Sequence, residues 1–302
     1  MINRFLNYIE IRTKITSTFA FLLTIAYLFY AGQPIRWNLT LVFFASMFLF
    51  DLTTTAINNY IDTKTNGLTL PFKRGAALAI IIVMLSASAF LGLYLVFLTD
   101  IVVLLLGGLC FLCGIFYTYG PAPISRQPWG ELLSGIFYGF FIPFILLYVN
   151  MPEGYYLTLN WDLRTVSIDL QVFPLFTVLL LSVAPVCCTA DIMLANNICD
   201  LEHDILVKRY TLPYYLGKKT SLFLFAAVYY TAYLTVIVMA AVRVLHPLSL
   251  LLLVTLIPVR KNIKMFFREQ VKSMTFIASI RNYLIIMGTL TALVFLSGLI
   301  GR

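Results

Sequence analysis

Long apolar runs, separated by short polar segments, extend along the whole chain. Nine runs are close to or longer than the roughly 20 residues that an α-helix needs to cross a bilayer. They cover residues 15–32, 37–60, 75–98, 101–119, 131–150, 171–198, 220–242, 246–259 and 277–300. The run at 246–259 is short, which leaves open a tilted or partly interfacial helix. Because the runs lack the alternation of barrel strands, they predict an all-α, polytopic membrane bundle of nine transmembrane helices.

The composition agrees with a membrane location. Hydrophobic residues make up 61% of the chain and charged residues 11%, whereas about a quarter of a typical soluble domain is charged. No linker divides the chain, which favours a single transmembrane domain over residues 1–302. The first run follows a polar stretch and lacks a small-residue cleavage site, so we expect a retained helix rather than a signal peptide.

The net charge of +8 follows membrane topology and does not indicate a nucleic-acid partner. If the N-terminus is cytoplasmic and the spans alternate, the cytoplasmic segments hold 16 of the 21 Lys and Arg residues. These are Arg4, Arg12, Lys14, Lys64, Lys73, Arg74, Arg126, Lys208, Arg209, Lys218, Lys219, Arg260, Lys261, Lys264, Arg268 and Lys272. The positive-inside rule therefore predicts a multi-pass plasma-membrane protein with a cytoplasmic N-terminus and an external C-terminus.

A polar motif occurs twice in this apolar chain. Residues 58–66 and 196–204 both read N-N-x-x-D-x-x-x-N/D, and T-L-P-F/Y-x-x-G follows them at 69–75 and 211–217. In a helix, the first, fifth and ninth positions of the motif share one face. Helix capping and topology explain one such motif well, but they explain a duplicated pair poorly. The duplication favours two helix ends that hold one ligand between them.

The motif side chains have the chemistry of a magnesium site facing a polyphosphate. Mg²⁺ prefers carboxylate and amide oxygens and commonly fills its remaining positions with water and substrate phosphate. The candidate metal ligands are Asp62, Asn66, Asp200 and Asp204. The candidate diphosphate-binding residues are Asn58, Asn59, Lys64, Lys73, Arg74, Asn196, Asn197, Lys208 and Arg126.

These motifs resemble those of the UbiA superfamily of intramembrane prenyltransferases. The resemblance covers nearly the whole chain. Within the superfamily, residues 196–204 are most similar to the N-N-x-R-D-x-x-x-D of the branch that prenylates 1,4-dihydroxy-2-naphthoate in menaquinone synthesis (the MenA type). The segment Tyr117 to Pro123, followed by Trp129-Gly130-Glu131, is similar to the same branch.

The resemblance implies a reaction, its cofactor and its partners. Mg²⁺ and basic residues would hold the diphosphate of a polyprenyl donor in a cytoplasm-facing cavity that opens laterally to lipid. An aromatic acceptor, dihydroxynaphthoate in this branch, would attack the allylic cation and lose its carboxylate, which gives demethylmenaquinone. Tyr117 and Tyr119 are catalytic candidates on the resemblance alone, and anchoring at a helix end is an equal alternative.

The chain departs from the family pattern at three motif positions. The first motif has Asn59 and Asn66 where the family usually has Asp, and the second has Cys199 in place of Arg. One carboxylate, Asp62, therefore remains in the first motif. We expect weaker metal binding, or partial replacement of one metal by Lys64.

Two further acids lie deeper in the predicted spans. Asp51 precedes Asn58 by seven residues and Asp191 precedes Asn196 by five, so both lie roughly on the motif side of their helices. A carboxylate at that depth usually faces a cavity or a partner. We predict catalytic roles for both, with Asp191 as a base, and pairing with a neighbouring helix is an equal alternative.

Two other functions compete with naphthoate prenylation. The acceptor could be 4-hydroxybenzoate or another substrate of the superfamily. A transporter is the alternative from a different class, because duplicated motifs can mark inverted repeats. Here both motifs follow even-numbered spans on the same side and lie near the surface, which favours the enzyme. The oligomeric state stays open.

Overall fold

The structure, a computed structural model, describes residues 2–63, 69–162 and 164–301, and most of these residues are helical. Its α-helices are α1 (Ile2–Tyr8), α2 (Ile15–Tyr30), α3 (Trp37–Asp62), α4 (Arg74–Leu98), α5 (Ile101–Phe116), α6 (Gly130–Ile136), α7 (Ile142–Asn150), α8 (Val172–Cys199), α9 (Leu201–Leu206), α10 (Leu212–Leu216), α11 (Lys218–Ala241), α12 (Leu256–Arg268) and α13 (Ile277–Ile300). Short 3₁₀ helices cover Ile11–Lys14, Ile124–Arg126 and Pro247–Thr255, and the π-helical segment Phe137–Phe141 joins α6 to α7.

Six helical segments in the described part of the chain are long and apolar enough to cross a membrane. They are Trp37–Asp62, Arg74–Leu98, Gly130–Asn150, Val172–Cys199, Lys218–Ala241 and Ile277–Ile300. The protein is therefore a multi-span helical membrane protein, as predicted.

The other three predicted spans are also helical, but two of them are shorter than the six above and the third is partly a 3₁₀ helix. The helices α2 and α5 have 16 residues each, or about 24 Å of helix at 1.5 Å per residue. The run at 246–259 divides into the 3₁₀ helix Pro247–Thr255 and the start of α12. The count of nine transmembrane helices stays a prediction.

A β-hairpin between α7 and α8 departs from the predicted all-α fold. Strand β1 (Leu157–Trp161) pairs antiparallel with β2 (Val166–Leu170), in a register that aligns Leu157 with Leu170. Both segments alternate apolar and polar residues, which suits a strand better than a helix. At the turn, the Asp162 carboxylate accepts hydrogen bonds from the backbone nitrogens of Arg164 and Thr165, both at 2.7 Å.

Helix α8 crosses the segment Gly130–Asn150 at very close range. A Cβ atom at Gly139 would lie 2.2 Å from the backbone nitrogen of Val186, and one at Gly135 would lie 2.7 Å from the Val186 carbonyl oxygen. Glycine allows this approach, as small residues do at many transmembrane helix crossings. The crossing holds α8, whose last turn begins the second motif, against α6.

The largest buried core lies between α2, α8, α11 and α13. It includes Leu28, Leu181, Phe225, Tyr229 and Tyr283, each fully or almost fully buried. Two cavities are each lined by residues of both α3 and α8.

Candidate active site

The structure brings the two motifs together at one polar cavity of about 590 Å³. Six motif residues line it, three from each half of the chain. They are Asn58, Asn59, Asp62, Asn196, Asp200 and Asp204. We call the end of the bundle that carries them the motif end.

Helical periodicity explains why each motif presents one face to this cavity. Asn58 and Asp62 are four residues apart in the last turns of α3. In the second motif, the Asp200 nitrogen donates to the Asn196 carbonyl at 3.0 Å, and the Asp204 nitrogen donates to the Asp200 carbonyl at 2.8 Å. The four-residue spacing therefore continues from α8 into α9, although Asp200 lies between the two helices.

Three basic side chains line the polar cavity. Arg126 comes from the loop after α5, Arg209 from the loop after α9, and Lys272 from the loop before α13. Arg209 lies 3.6 Å from the Asp204 carboxylate, and Lys272 forms an ion pair with Asp200. The Arg209 Nε atom also donates to the Ser125 carbonyl at 2.8 Å, which fixes the direction of the guanidinium group.

Three basic residues assigned to the diphosphate from sequence lie elsewhere. Arg74 donates to the Tyr60 carbonyl at 2.8 Å, and its guanidinium lies 4.7 Å from the centre of the Tyr60 ring. Lys73 and Lys208 are exposed, and none of the three lines the described part of the cavity. Arg209, which directly follows Lys208, does line the cavity, so a position shortly after a motif does not by itself place a basic side chain at the site. Lys64 and Asn66 lie outside the described residues.

Asn59 and Asn197 take part in contacts between protein segments. The Asn59 amide donates to the Tyr8 carbonyl at 2.9 Å and to Glu10 Oε1 at 3.2 Å, which ties α3 to the N-terminal segment. Asn197 is 1% exposed and donates to Glu131 Oε1 at 2.7 Å. Only Asn59 of the two also lines the cavity, so Asn197 positions α8 rather than facing the cavity.

The donor atoms at the motif end suit a magnesium ion that is shared with a substrate. Among the described residues, no three His, Cys, Asp or Glu side chains lie close enough to form a metal cage. One Asp204 oxygen is buried without a hydrogen-bond partner. Burial raises the pKa of the Asp204 carboxyl, and the Arg209 guanidinium opposes part of that shift. Mg²⁺ often takes one or two carboxylates and completes its shell with phosphate, so Asp62, Asp200 and Asp204 fit as one or two ligands of such an ion and not as a closed cage.

A second, mainly apolar chamber of about 530 Å³ adjoins the polar cavity. The two share Glu10 and Asn196 as lining residues. Phenylalanines from four segments line the chamber, namely Phe43, Phe50, Phe111, Phe137, Phe141 and Phe276. The site is thus a polar compartment at the motif end that borders an apolar, aromatic one.

The four catalytic candidates from the sequence separate into two pairs. Asp51 and Tyr117 line the apolar chamber, and the Tyr117 hydroxyl accepts a hydrogen bond from Ser134 at 3.0 Å. Tyr119 is 61% exposed, and Asp191 is fully buried with no hydrogen-bond partner for either oxygen among the described residues. Neither lines either of these two cavities, so catalytic roles for Asp191 and Tyr119 stay predictions that no contact here supports.

Several residues that the sequence analysis did not assign to the site border these cavities. Thr118 donates a hydrogen bond to the Asn58 side chain, and both line the polar cavity with Glu10 and His203. The position of Thr118 beside Tyr117 was the available signal for its role. Nothing in the sequence marked Lys272 or Glu10, because each reaches the cavity through tertiary packing far from the motifs.

Comparisons with known proteins agree with this geometry. The model of the UbiA prenyltransferase family matches residues 19–280 of the chain. Among curated proteins, the chain is similar to the 1,4-dihydroxy-2-naphthoate octaprenyltransferase of Bacillus subtilis (strain 168), with 27% identity over 227 residues. That alignment covers 71% of this chain and 66% of the relative, so the chain spans slightly under two thirds of the relative's length.

Solved structures share the fold at lower identity. A UbiA homologue from Aeropyrum pernix K1, in its apo form, has 18% identity and a TM-score of 0.66, covering 91% of this chain and 97% of that one. A UbiA homologue from Archaeoglobus fulgidus, bound to GPP and Mg²⁺, has 13% identity and a TM-score of 0.65, with 98% of each chain covered. These likenesses show that the helical arrangement of the described residues is that of the UbiA fold.

Proposed function

Because this chain belongs to the UbiA prenyltransferase family, we propose that it prenylates 1,4-dihydroxy-2-naphthoate. The donor is an allylic polyprenyl diphosphate, and the products are demethylmenaquinone, carbon dioxide and diphosphate. The allylic carbon–oxygen bond of the donor breaks, and the ring carbon that bears the carboxylate forms the new carbon–carbon bond. Loss of carbon dioxide then restores the aromatic ring.

One observation carries this proposal: the two motifs line a single polar cavity that borders an aromatic chamber. A polyprenyl diphosphate has the same division, with a multiply charged head and an apolar tail. The head matches the polar cavity, where Arg126, Arg209 and Lys272 lie. The first isoprene unit and the acceptor ring match the apolar chamber next to it.

The motif end binds and activates the leaving group in this proposal. Arg126, Arg209 and Lys272 donate to the diphosphate oxygens, where positive groups stabilise the charge that develops as the bond breaks. Asp62, Asp200 and Asp204, with the amide oxygens of Asn58 and Asn196, would hold Mg²⁺. When bound, the ion neutralises the diphosphate and lowers the barrier to its departure.

The apolar chamber protects the cation and holds the acceptor. Its walls exclude water, which would otherwise capture the cation as an alcohol. Aromatic faces attract positive charge, and the chamber offers Phe50, Phe137 and Tyr117 among others. When the ring is held against the allylic carbon, the bimolecular step becomes effectively unimolecular. This proximity supplies a large part of the rate enhancement over the uncatalysed reaction.

The choice of acceptor rests on the second motif and on the similar Bacillus protein. Residues 196–204 keep the N-N-x-x-D-x-x-x-D form, and the curated relative is named for 1,4-dihydroxy-2-naphthoate. We further propose Mg²⁺ dependence, one membrane domain over residues 1–302, and a cytoplasmic motif end and N-terminus in line with the charge distribution.

Mass spectrometry of reaction products tests the proposal. The purified protein in liposomes receives a polyprenyl diphosphate, Mg²⁺ and either dihydroxynaphthoate or 4-hydroxybenzoate. We expect diphosphate release and a decarboxylated prenyl product from dihydroxynaphthoate, and no product from 4-hydroxybenzoate. Product from 4-hydroxybenzoate alone would overturn the acceptor assignment, and no product from either would overturn prenylation of these acceptors.

A further inference from the structure

A buried ion pair forms part of the wall of the apolar chamber. Lys14 and Asp51 are 4% and 5% exposed, and Lys14 Nζ lies 2.8 Å from Asp51 Oδ1. Lys14 also donates to Thr55 Oγ1 at 2.5 Å, and the Ser17 hydroxyl donates to Asp51 Oδ2 at 2.6 Å. The sequence analysis counted Lys14 among the charges of a cytoplasmic segment, whereas the structure buries it against α3.

Tyr138 connects this ion pair to the chamber. Its hydroxyl donates to Asp51 Oδ1 at 2.7 Å, and Tyr138, Asp51 and Lys14 all line the chamber. Tyr138 belongs to the π-helical segment Phe137–Phe141. Such π-helical turns occur frequently at functional sites.

An ion pair at this depth is poorly explained by stability. Desolvation of two charges offsets most of their attraction, so an apolar pair of similar volume often stabilises a protein as well or better. Ionisable residues within membrane-spanning segments usually mark a functional site. The chamber wall is apolar except for a few groups, and the Lys14–Asp51–Tyr138 network provides the charged ones besides Glu10.

The network lies at the depth where an acceptor would meet the donor. Asp51 precedes Asn58 by seven residues in α3, a distance of about 10 Å along the helix axis. The diphosphate would occupy the level of Asn58, so the acceptor ring would lie between that level and Tyr138.

We propose that Tyr138 is a catalytic residue that accepts a hydrogen bond from a ring hydroxyl of the aromatic acceptor. Asp51 is a positioning residue, because it receives the Tyr138 proton and fixes the direction of the phenol. Lys14 and Ser17 hold the Asp51 carboxylate in place. This inference rests on the proposed function and adds the recognition of the acceptor hydroxyl.

The proton balance of this step is simple. As the ring carbon attacks the allylic cation, positive charge develops on the conjugated ring hydroxyl. Its proton shifts towards the Tyr138 oxygen, and the Tyr138 proton shifts towards the Asp51 carboxylate. When carbon dioxide leaves, the electrons of the broken carbon–carbon bond return to the ring and both protons return. A phenol that donates its own proton can still accept another hydrogen bond.

Turnover of Tyr138→Phe with a free and a methylated acceptor tests the proposal. The acceptors are 1,4-dihydroxy-2-naphthoate and its two monomethyl ethers. For the wild type, we expect one ether to react about tenfold to a hundredfold more slowly than the free acceptor, the range of a hydrogen bond to a group that gains charge. Tyr138→Phe should lose this discrimination. It should turn over the free acceptor as slowly as the wild type turns over the slow ether. Asp51→Asn should reduce the discrimination in the same way.

Tyr148→Phe is the matched control. The Tyr148 hydroxyl donates to the Asp100 carboxylate, also at 2.7 Å, but neither residue lines the chamber. We expect Tyr148→Phe to keep the discrimination, and Tyr138→Phe to bind a donor analogue as the wild type does. Equal slowing of free and methylated acceptors by Tyr138→Phe, or unchanged turnover, would overturn the inference while the proposed function stands. A wild type that prenylates no hydroxyaryl acceptor would overturn both.

Discussion

At the scale of single residues, the acids of the second motif are paired with bases. Asp200 pairs with Lys272, and Asp204 lies 3.6 Å from Arg209. Both partners are needed when a ligand binds, because a diphosphate attracts the bases and Mg²⁺ attracts the carboxylates. The cavity therefore stays nearly neutral without its ligand and exchanges these pairs for ligand contacts on binding.

Replacement of Arg209 should weaken donor binding selectively. In Arg209→Ala, the diphosphate loses hydrogen bonds from a charged group, and such bonds contribute about 1.5–3 kcal/mol each. We expect the KM for the donor to rise about tenfold to a hundredfold, with little change in the KM for the acceptor. Steady-state kinetics measures both values. Arg260→Ala, on the exposed face of α12, is the control, and an equal effect of both variants would contradict the assignment.

Replacement of Asp191 separates the sequence hypothesis from the geometry. Asp191 is fully buried and lines neither cavity. We therefore expect Asp191→Asn to keep turnover within about twofold, while the melting temperature changes because a buried, unpartnered polar group is altered. A large loss of turnover with unchanged melting temperature would instead support Asp191 as the base. Turnover and thermal denaturation of the same preparation measure both effects.

At the scale of secondary-structure elements, helical periodicity predicted which motif residues share a face, but it did not predict the π-helical segment or the β-hairpin. The spacing of Asn58 and Asp62 placed both on one face of α3, and the structure has them on one cavity. The π-helical segment Phe137–Phe141 was not predicted, because the apolar pattern of residues 131–150 is that of one continuous helix. The β-hairpin was missed for a different reason: its alternating pattern is short and lies beside long apolar runs.

The close crossing of α8 predicts a steric effect at Gly139. An added Cβ atom would lie 2.2 Å from the Val186 nitrogen, and overpacking of this kind typically costs about 1–3 kcal/mol. We expect Gly139→Ala to lower the melting temperature in detergent by several degrees. Gly288→Ala, whose Cβ would meet Phe19 at an ordinary 3.8 Å, should change it little. Similar melting temperatures for the two variants would show that α8 does not cross so closely.

At the scale of the whole molecule, the apolar runs predicted most of the helices, and the duplicated motif predicted where their ends meet. Asp62 and Asp200 are 138 positions apart in sequence, yet both line the polar cavity. The sequence could not identify Lys272, since its loop is brought to Asp200 by tertiary packing, in which α13 contacts α8. Lys73 and Arg74 were assigned from their place after a motif, and such proximity in sequence did not carry over to the cavity.

Binding of an unreactive thio analogue of an allylic diphosphate, with Mg²⁺ present, tests the central claim most directly. The claim is that helix ends from both halves of the chain hold one diphosphate. We predict that Asp62→Asn and Asp200→Asn each weaken binding at least tenfold. The double variant should lose less than the sum of the two free-energy changes, because residues that share one ligand are coupled. Unchanged affinity in either single variant, or strict additivity of the two, would contradict a diphosphate shared between the motifs.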